Sequence, residues 1–486
     1  MSGAAATGVI LAACTPAQPP AQPTTVQATA VQAQPTAVPP TSAPVQAVTI
    51  QYWVGWGGTT VDALKACGDK FTAKNPDVSI NVIGDSSNDK ILTAIAGGTA
   101  PEMGSNLDYV ALIARGVCVP QTEWINASKV VKKDDFHQEA WNLFTWKNVI
   151  YGIPGVESAP RESLCYNVGL IEKAGLDPKA PPQTWDELFA WHKALTSFDS
   201  AGNAVVIGID PLDDMGGSYG WGDPWMWAGS WGFDYFDEEN MKFDLDRPEV
   251  TEIFATIKMF YDYVGVEKMA AFRKGYGTWT SSPTAGVPAG AQAMCITGGW
   301  SPGWLSQSAP DKHFAYTWMP VPTARKGKKV QMTGGHSPII FKDAKGTAQA
   351  YLFAEYLTCD DEASDILWEN VGFQPARISW WQKVDASRYE GFDFFVKAAT
   401  EAEELWPDQP NPVLQLSPDE VRARLEQEDS AMAARLRATD PQRNARALEV
   451  VRATGQSLGG WQALPREGGI GEEAAVEAML ILPDRE

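Results

Sequence analysis

Several features that mark common classes of protein are missing from this 486-residue chain. Its six cysteines include no CxxC pair, so the sequence contains no metal-binding or redox motif of that kind. It has no G-x-x-x-x-G-K-[ST] loop, which nucleotide-binding enzymes use to hold phosphates. Beyond a short apolar N-terminus, no stretch is long and apolar enough to span a bilayer. We therefore expect no cofactor and no bound metal.

Positive charge is also scarce, because 39 Lys and Arg against 60 Asp and Glu give a formal net charge of −21. This charge argues against nucleic acid or an anionic membrane as a partner of the whole chain. A hydrophobic content of 44% and a charged content of 20% suit a globular protein. The length exceeds that of one compact core, so we expect two or more domains. The 20 tryptophans are clustered and call for an explanation of their own.

The N-terminus has the character of a secretion signal followed by a tether. Residues 1–14 read MSGAAATGVILAAC, a short apolar run that ends in LAAC at Cys14. This tetrapeptide resembles the lipobox of bacterial lipoproteins, in which cleavage before the cysteine would leave Cys14 lipid-modified; a frayed apolar N-terminus is the alternative. No Lys or Arg precedes the run, which departs from a usual signal peptide. Residues 15–47 are rich in Pro, Ala, Gln, Thr and Val, which predicts an extended, disordered linker.

From residue 48 onwards the pattern predicts alternating strands and helices. The strands are expected at 48–54, 79–83 and 104–108, with helices at 60–75, 89–96 and 109–115. Such a series predicts a parallel sheet with flanking helices. Ligands bind outside the carboxyl ends of the strands in sheets of this kind. The candidate binding residues are therefore Trp53 and Trp56 after the first strand, Asp85 to Ser87 after the second, and Asn106 and Asp108 after the third.

The stretch from 151 to 196 carries the most specific pattern in the chain. It contains YGIP, CYN, AGLDP and PPQTWDEL in that order. Thr184 can cap the last helix there, and Glu187 completes a capping box. The joint order resembles the segment of family 1 extracellular solute-binding proteins in which the chain first crosses between two lobes. FTAKNPDVSINV, GTAPEM, GAQAMCITGGW and GFQPAR resemble further segments of that family.

This resemblance implies an α/β protein with the two-lobed periplasmic-binding-protein type II fold and hinge crossings. The first lobe would comprise residues 48–157 and 337–375, and the second lobe residues 158–336 and 376–412. A solute would bind between the lobes, and the closed protein would dock on the membrane permease of an ABC importer. The protein would be a monomer held outside the cytoplasm by its lipid anchor.

The resemblance also implies roles for single residues near the crossings. Glu157 is expected to face the cleft, and Trp300 in GAQAMCITGGW is expected near the ligand. Arg377 in GFQPAR either binds ligand or braces the hinge, and we favour the brace. His336 is interpreted as a hydrogen-bonded hinge residue rather than a catalytic one.

A tryptophan-rich run lies in the expected second lobe. Residues 213–236 hold four Trp among Gly and Asp, with no helical or strand period throughout. Apolar ring faces beside polar neighbours suit a sugar, whereas a Trp-rich core helix is the alternative. We expect one or two of the four in the site and select Trp225 and Trp227, with Trp279 as a further candidate.

The C-terminal residues do not continue the solute-binding pattern. Residues 418–486 contain DPQRNARALEVVRATG, which resembles an internal segment of tRNA dimethylallyltransferases. We therefore expect a foreign, mostly helical segment from about residue 413. A gene fusion and an error of sequence assembly are both consistent with such a junction.

Three functions remain open at this point. The first is a lipid-anchored substrate-binding subunit that captures a carbohydrate without catalysis. The second is a tRNA-modifying transferase, which the missing phosphate loop and the negative charge oppose. The third is a secreted carbohydrate hydrolase, which would need two carboxylates facing one cleft, and no motif singles out such a pair.

Overall fold

The structure is a computed structural model, and it describes residues 47–160, 163–212, 224–234, 236–237, 242–276, 279–342, 344–407, 418–438 and 440–463. The predicted signal peptide with Cys14, the linker up to residue 46, the run 213–223 and residues 464–486 lie outside the described residues. Residues Gln46–Glu486 group into one compact unit. None of the helices in the described ranges has both the length and the apolar character needed to cross a membrane.

The elements are numbered in chain order. The strands are β1 (Val48–Val54), β2 (Val78–Ile83), β3 (Met103–Ser105), β4 (Thr145–Trp146), β5 (Val149–Ile150), β6 (Ser158–Pro160), β7 (Ser163–Asn167), β8 (Ser197–Phe198), β9 (Ala204–Val206), β10 (Phe236–Asp237), β11 (Lys242–Phe243), β12 (Met294–Thr297), β13 (Phe314–Thr317), β14 (Val330–Gly335), β15 (Ile339–Ile340) and β16 (Glu404–Pro407).

The helices are α1 (Gly58–Lys74), α2 (Asn88–Ala96), α3 (Tyr109–Ala114), α4 (Thr122–Ala127), α5 (Gln138–Asn142), α6 (Val168–Lys173), α7 (Trp185–Leu195), α8 (Pro224–Trp231), α9 (Pro248–Val264), α10 (Val266–Lys274), α11 (Gly286–Ala289), α12 (Ser301–Ser308), α13 (Thr347–Cys359), α14 (Asp361–Val371), α15 (Ile378–Trp381), α16 (Phe392–Glu401), α17 (Pro418–Glu428), α18 (Ser430–Arg435), α19 (Pro441–Thr454) and α20 (Leu458–Ala463). Short 3₁₀ turns lie at Lys133–Asp135, Thr323–Arg325 and Ala386–Arg388.

The first lobe is built on a four-stranded sheet in the order β15-β3-β1-β2. β1 runs parallel to β2 and β3, whereas β15 is antiparallel to β3. Every second side chain of β1 is buried, because Ile50, Tyr52 and Val54 point to the same face of the sheet. The predicted βαβαβ order is confirmed, and β1 has the predicted bounds. β3 is shorter than expected, because it ends at Ser105 rather than at residue 108.

The second lobe is built on a three-stranded sheet with the order β12-β7-β13, in which β7 pairs antiparallel with both neighbours. The predicted strand 163–167 and the predicted helix after Thr184 are both confirmed. Thr184 Oγ1 accepts from Glu187 N at 3.2 Å, and the Glu187 carboxylate accepts from Gln183 N at 2.8 Å. These two bonds satisfy backbone donors that the first turn of a helix would leave unpaired.

Part of the tryptophan-rich run is helical, contrary to the expectation of an irregular loop. Residues 224–231 form α8. Trp227 is 2% exposed and stacks on Trp185 of α7, with ring centroids 4.0 Å apart. Trp231 continues the stack at 5.8 Å from Trp185. Burying several large rings against one another stabilises the second lobe, so the alternative of a core helix applies to these two residues.

A third sheet lies where the chain crosses between the lobes. β14 is its central strand, with β6 antiparallel on one side and β16 parallel on the other. β6 belongs to the first crossing, and β14 leads into the second at Gly335. β6 and β14 pair residues more than 150 positions apart in the sequence, and backbone hydrogen bonds therefore join the first two crossings directly.

The C-terminal segment, defined as residues 413–486, has a core of its own. Val421, Leu425, Met432 and Leu448 belong to one cluster of buried side chains formed by α17 to α20. The expectation of a mostly helical segment is confirmed for its described residues. Glu420 of α17 forms an ion pair with Lys147 in the hairpin of β4 and β5, and α19 lies against β11.

Candidate functional site

The loops that follow β1, β2 and β3 meet at one edge of the first-lobe sheet. Gly55 N donates to Ser105 O at 3.0 Å, and a Cβ atom at Gly55 would overlap the carbonyl oxygen of Asn106. A Cβ atom at Gly57 would lie 2.6 Å from Oδ1 of Asp85. The contact at Gly55 is with backbone, so glycine is needed there to bring the first and third loops together, whereas the contact at Gly57 is with the movable carboxylate of Asp85.

Two residues of this edge adopt the left-handed backbone region that non-glycine residues rarely occupy. Asp85 has a φ of 51° and Asn106 a φ of 54°. Asp85 N donates to Trp56 O at 3.0 Å, which fixes the loop after β2 against the loop after β1. Uncommon backbone conformations that the surrounding structure enforces often cluster at functional sites.

A buried polar chain connects this edge to the first and second crossings. Tyr109 Oη accepts from Asn106 N at 2.7 Å and lies 3.2 Å from His336 Nδ1. His336 Nε2 lies 3.4 Å from Glu157 Oε2. His336 N also donates to Glu157 O at 2.8 Å, so backbone and side chain both link the two crossings. Glu157 is 3% exposed in this contact with His336, and its expected position facing the cleft stays a prediction.

An aromatic wall, defined as Trp56, Trp279, Trp300, Trp304 and Phe373, runs from the first lobe to the second. The Trp56 ring meets His336 edge-on at 5.0 Å and Phe373 at 5.3 Å. Phe373 belongs to residues 372–377 (GFQPAR), which resemble the third crossing between the lobes, and it lies 6.1 Å from Trp304 of α12. Trp304 in turn lies 6.2 Å from Trp300 and 6.1 Å from Trp279. The wall is therefore continuous across both lobes, and Trp279 and Trp304 are its half-buried, accessible members.

Close backbone packing holds the second-lobe half of the wall in place. A Cβ atom at Gly303 of α12 would lie 2.7 Å from the Cα atom of Gly372, and one at Gly299 would lie 2.8 Å from Oε1 of Gln374. Gln374 is buried, and its Nε2 donates to Gly299 O at 2.6 Å. The third crossing therefore packs directly against the start of α12, close to Trp300 and Trp304.

Trp279 has an unusual backbone for a bulky residue, with a φ of 66°. The neighbouring Thr280 is 1% exposed, and its hydroxyl has no hydrogen-bond partner among the residues that the structure describes. Buried hydroxyl groups usually have a partner, so a water molecule or a ligand atom is expected here. Within the described ranges, no cluster of His, Cys, Asp and Glu side chains could hold a metal ion.

Comparison with known proteins assigns the larger part of the chain. Residues 66–391 match the family model described as bacterial extracellular solute-binding protein. The chain belongs to this family. An arabinooligosaccharide-binding protein from Halalkalibacterium halodurans is 23% identical over 343 residues, which cover 69% of this chain and 73% of that protein. The family comprises extracellular binding proteins, so the matched part of the chain is not an enzyme.

Solved structures support the two-lobed fold. The mannotriose complex of CpMnBP1 has a TM-score of 0.67 and 22% identity, covering 83% of this chain and 99% of that chain. An ABC substrate-binding protein from Listeria monocytogenes in complex with cycloalternan has a TM-score of 0.60 and 20% identity, covering 83% and 97%. At these identities the likeness establishes the fold alone.

The C-terminal segment has different relatives. Residues 389–486 match the IPP transferase family model. The tRNA dimethylallyltransferase of Erythrobacter litoralis is 50% identical over 70 residues, which cover 14% of this chain and 22% of that enzyme. The chain thus spans about a fifth of the length of the transferases that it matches. The expected combination of a solute-binding protein with a transferase fragment is confirmed.

The structure separates the predicted binding residues of this solute-binding protein into two groups. Trp56, Asp85, Trp279 and Trp300 lie at the strand edge or in the aromatic wall, and of these Trp56 and Trp300 are buried members of the core cluster of the first lobe. Trp227 belongs to the second-lobe core and is corrected from a ligand-binding to a packing role. The side chain of Trp225 lies outside the described residues.

Three further candidates have local contacts that favour structural roles. Trp53 packs beside α2, with Lys90 Nζ 5.4 Å from its ring centroid. Asp108 caps α3, since its Oδ1 accepts from Ala111 N at 3.0 Å. Arg377 Nη2 donates to Asp361 Oδ1 at 2.7 Å, and it is 7% exposed, which agrees with the favoured brace.

Two members of the wall were not predicted from the sequence. Trp304 follows Trp300 by one helical turn, and this i, i+4 spacing on one helix face could have indicated it. Phe373 stands inside the quoted GFQPAR motif, but its contact with Trp56 joins residues over 300 positions apart. No local pattern gives such a contact.

Proposed function

We propose that residues 48–412 form the substrate-binding subunit of an ABC importer and capture a carbohydrate between the two lobes. The observation that carries this proposal is the aromatic wall that extends from Trp56 through Phe373 to Trp304. Aromatic faces pack against the C–H faces of sugar rings, and polar side chains beside them bond the hydroxyl groups. The arabinooligosaccharide-binding relative and the two similar structures that hold mannotriose and cycloalternan support a carbohydrate as the solute.

Closure of the lobes would bring the two halves of the wall onto opposite parts of the ligand. The first-lobe half stands with Asp85 and Asn106, whose polar groups lie at the same sheet edge. The second-lobe half stands on α12 beside the buried hydroxyl of Thr280. Only the closed form would present both lobes together to the permease, so ligand capture would regulate docking.

The location and the anchor belong to the same proposal. Membership of an extracellular family supports a position outside the cytoplasm. Lipid attachment at Cys14 would then hold a monomeric binding protein at the membrane, with residues 15–47 as its tether. The C-terminal segment matches about a fifth of a transferase, and this part alone would contribute no tRNA modification.

Titration calorimetry against manno-, arabino- and malto-oligosaccharides tests the capture of sugar. Binding of one class, with the sugar recovered intact, supports a binding protein; release of shorter sugars would instead support a hydrolase. If no oligosaccharide binds to the folded protein, the carbohydrate assignment is wrong. Chromatography of the sugar after incubation distinguishes the first two results.

A pair of matched variants tests the wall itself. Trp304→Ala should weaken sugar binding by about tenfold or more, because central aromatic contacts contribute ~1–2 kcal/mol or more to binding. Trp318→Ala is the control, since Trp318 packs on Phe394 and beneath Lys329 and makes no ring contact with the wall among the described residues. Equal affinities of the two variants would remove Trp304 from the site.

A further inference from the structure

We propose that Cys165 and Cys295 form a disulfide between the strands β7 and β12. The two residues are directly opposite each other in the antiparallel register of these strands. Both belong to the same cluster of buried side chains, so their side chains lie on the same face of the sheet. The inference rests on the proposed extracytoplasmic location, where disulfides form and persist.

The register fixes the distance between the two backbones. Asn167 N donates to Ala293 O at 2.9 Å, so these two opposite residues form a hydrogen-bonded pair of the ladder. Such pairs recur at every second position, and Cys165 and Cys295, two residues along, therefore form one as well. Cα atoms in such a pair are about 5.5 Å apart, inside the range of about 4.4–6.8 Å that disulfides require. Their Cβ atoms would approach by roughly 1–2 Å on bonding, because opposite Cβ atoms are about 4.5–5.5 Å apart and hydrogen-bonded pairs lie at the longer end of this range.

The other cysteines of the described ranges lack an opposite partner of this kind. Cys67, Cys118 and Cys359 belong to or border core clusters other than that of the cysteine pair, so oxidation should select Cys165 and Cys295.

Oxidation would occur while the second lobe folds, since both thiols are 0% exposed afterwards. One thiolate attacks a sulfur of a disulfide oxidant, forms a mixed disulfide and releases one oxidant thiol. The second thiolate then attacks the protein sulfur of the mixed disulfide and releases the other oxidant thiol. Two electrons pass to the oxidant, and the two protons of the cysteines end on its two thiols.

The link would support the part of the second lobe that carries the aromatic wall. β12 ends at Thr297, and the chain continues through Gly298 and Gly299 to Trp300. β7 follows the first crossing directly. A covalent bond between these strands would close a loop of about 130 residues, and long loops give large gains in stability. We expect reduction to lower the melting temperature of the second lobe by about 10 °C.

Peptide mapping of the full chain, recovered from an oxidising cell compartment and alkylated without reduction, tests the proposal. The expected result is a fragment with Cys165 joined to a fragment with Cys295, which separate after reduction. Cys118→Ala is the control and should leave this link intact. Alkylation of both Cys165 and Cys295 before reduction, or a link from either to another cysteine, would overturn the proposal.

Thermal unfolding provides a second measurement. Reductant should lower the melting temperature of the wild type but not that of the double variant Cys165→Ala, Cys295→Ala. If the double variant does not fold, the peptide map of the wild type decides. Sugar titration on the oxidised sample keeps the two proposals separate, because an intact link without sugar binding contradicts only the proposed function.

Discussion

His192 should make the second lobe sensitive to mild acid. This residue of α7 is 0% exposed, and its Nδ1 accepts from Ile209 N at 3.1 Å. Its ring packs against Phe260 at 5.1 Å and Tyr263 at 5.7 Å, and its Nε2 has no partner among the residues described. Burial lowers the pKa of His192 to about 4, so the imidazole is neutral in the folded protein at pH 7.

The direction of the effect follows from proton binding. An unfolded histidine has a pKa of about 6.5, so between pH 6.5 and 4 the unfolded chain binds a proton that the folded chain does not. The stabilising effect of the neutral imidazole is complete above pH 6.5 and is lost as the pH falls towards 4. Since one pKa unit corresponds to about 1.4 kcal/mol, the loss is about 2 kcal/mol at pH 5 and roughly 3 kcal/mol below pH 4.

Urea unfolding at pH 7.5 and pH 5.0, followed by tryptophan fluorescence, measures this loss. His192→Asn keeps an oxygen that can accept from Ile209 N but removes the titrating ring, so its unfolding free energy should fall much less between the two pH values. His313→Asn is the control, because His313 is exposed and pairs only with Glu390 among the residues described. An equal loss for the wild type and His192→Asn would refute the reasoning.

Three other predictions concern the crossings and the C-terminal segment. Gly303→Ala should lower the free energy of unfolding in urea by about 2–3 kcal/mol and weaken sugar binding, because its Cβ would meet backbone atoms. Gly97→Ala is the control: the nearest contact of its Cβ would be 3.4 Å, and it should lower the free energy of unfolding by less than about 1 kcal/mol. Arg377→Met, which removes a nearly buried guanidinium from half-exposed Asp361 and from Ser364, should cost about 2 kcal/mol, whereas Lys383→Met on the same carboxylate should cost under about 1 kcal/mol; equal costs in urea titration would contradict the brace. Deletion of the C-terminal segment should leave calorimetric sugar affinity within about fivefold, because its core is separate and its ion pair with Lys147 is exposed; loss of folding by circular dichroism would show that it supports the body.

Local patterns were enough to predict many of the elements. β1 alternates apolar and polar side chains, and its bounds agree with the prediction. The Thr184 cap fixed the start of α7 in the same way. Neither depends on distant residues, since strand alternation and capping act over a few positions.

Contacts between distant residues account for what the sequence could not predict. Glu157 is buried because His336, far along the chain, covers its carboxylate. Trp227 is a core residue because α7 places Trp185 against it. The residue type alone does not tell whether either side chain lies in the cleft or in a core, because tertiary packing decides its position.

The C-terminal segment contacts both lobes, through Lys147 on the first and β11 on the second. It would therefore act on the balance between the open and closed forms. An exposed ion pair contributes up to ~1 kcal/mol, which changes the ratio of two states by about fivefold at most. A sugar shifts the same balance by the ratio of its affinities for the closed and open forms, so a ratio above about fivefold outweighs this contact.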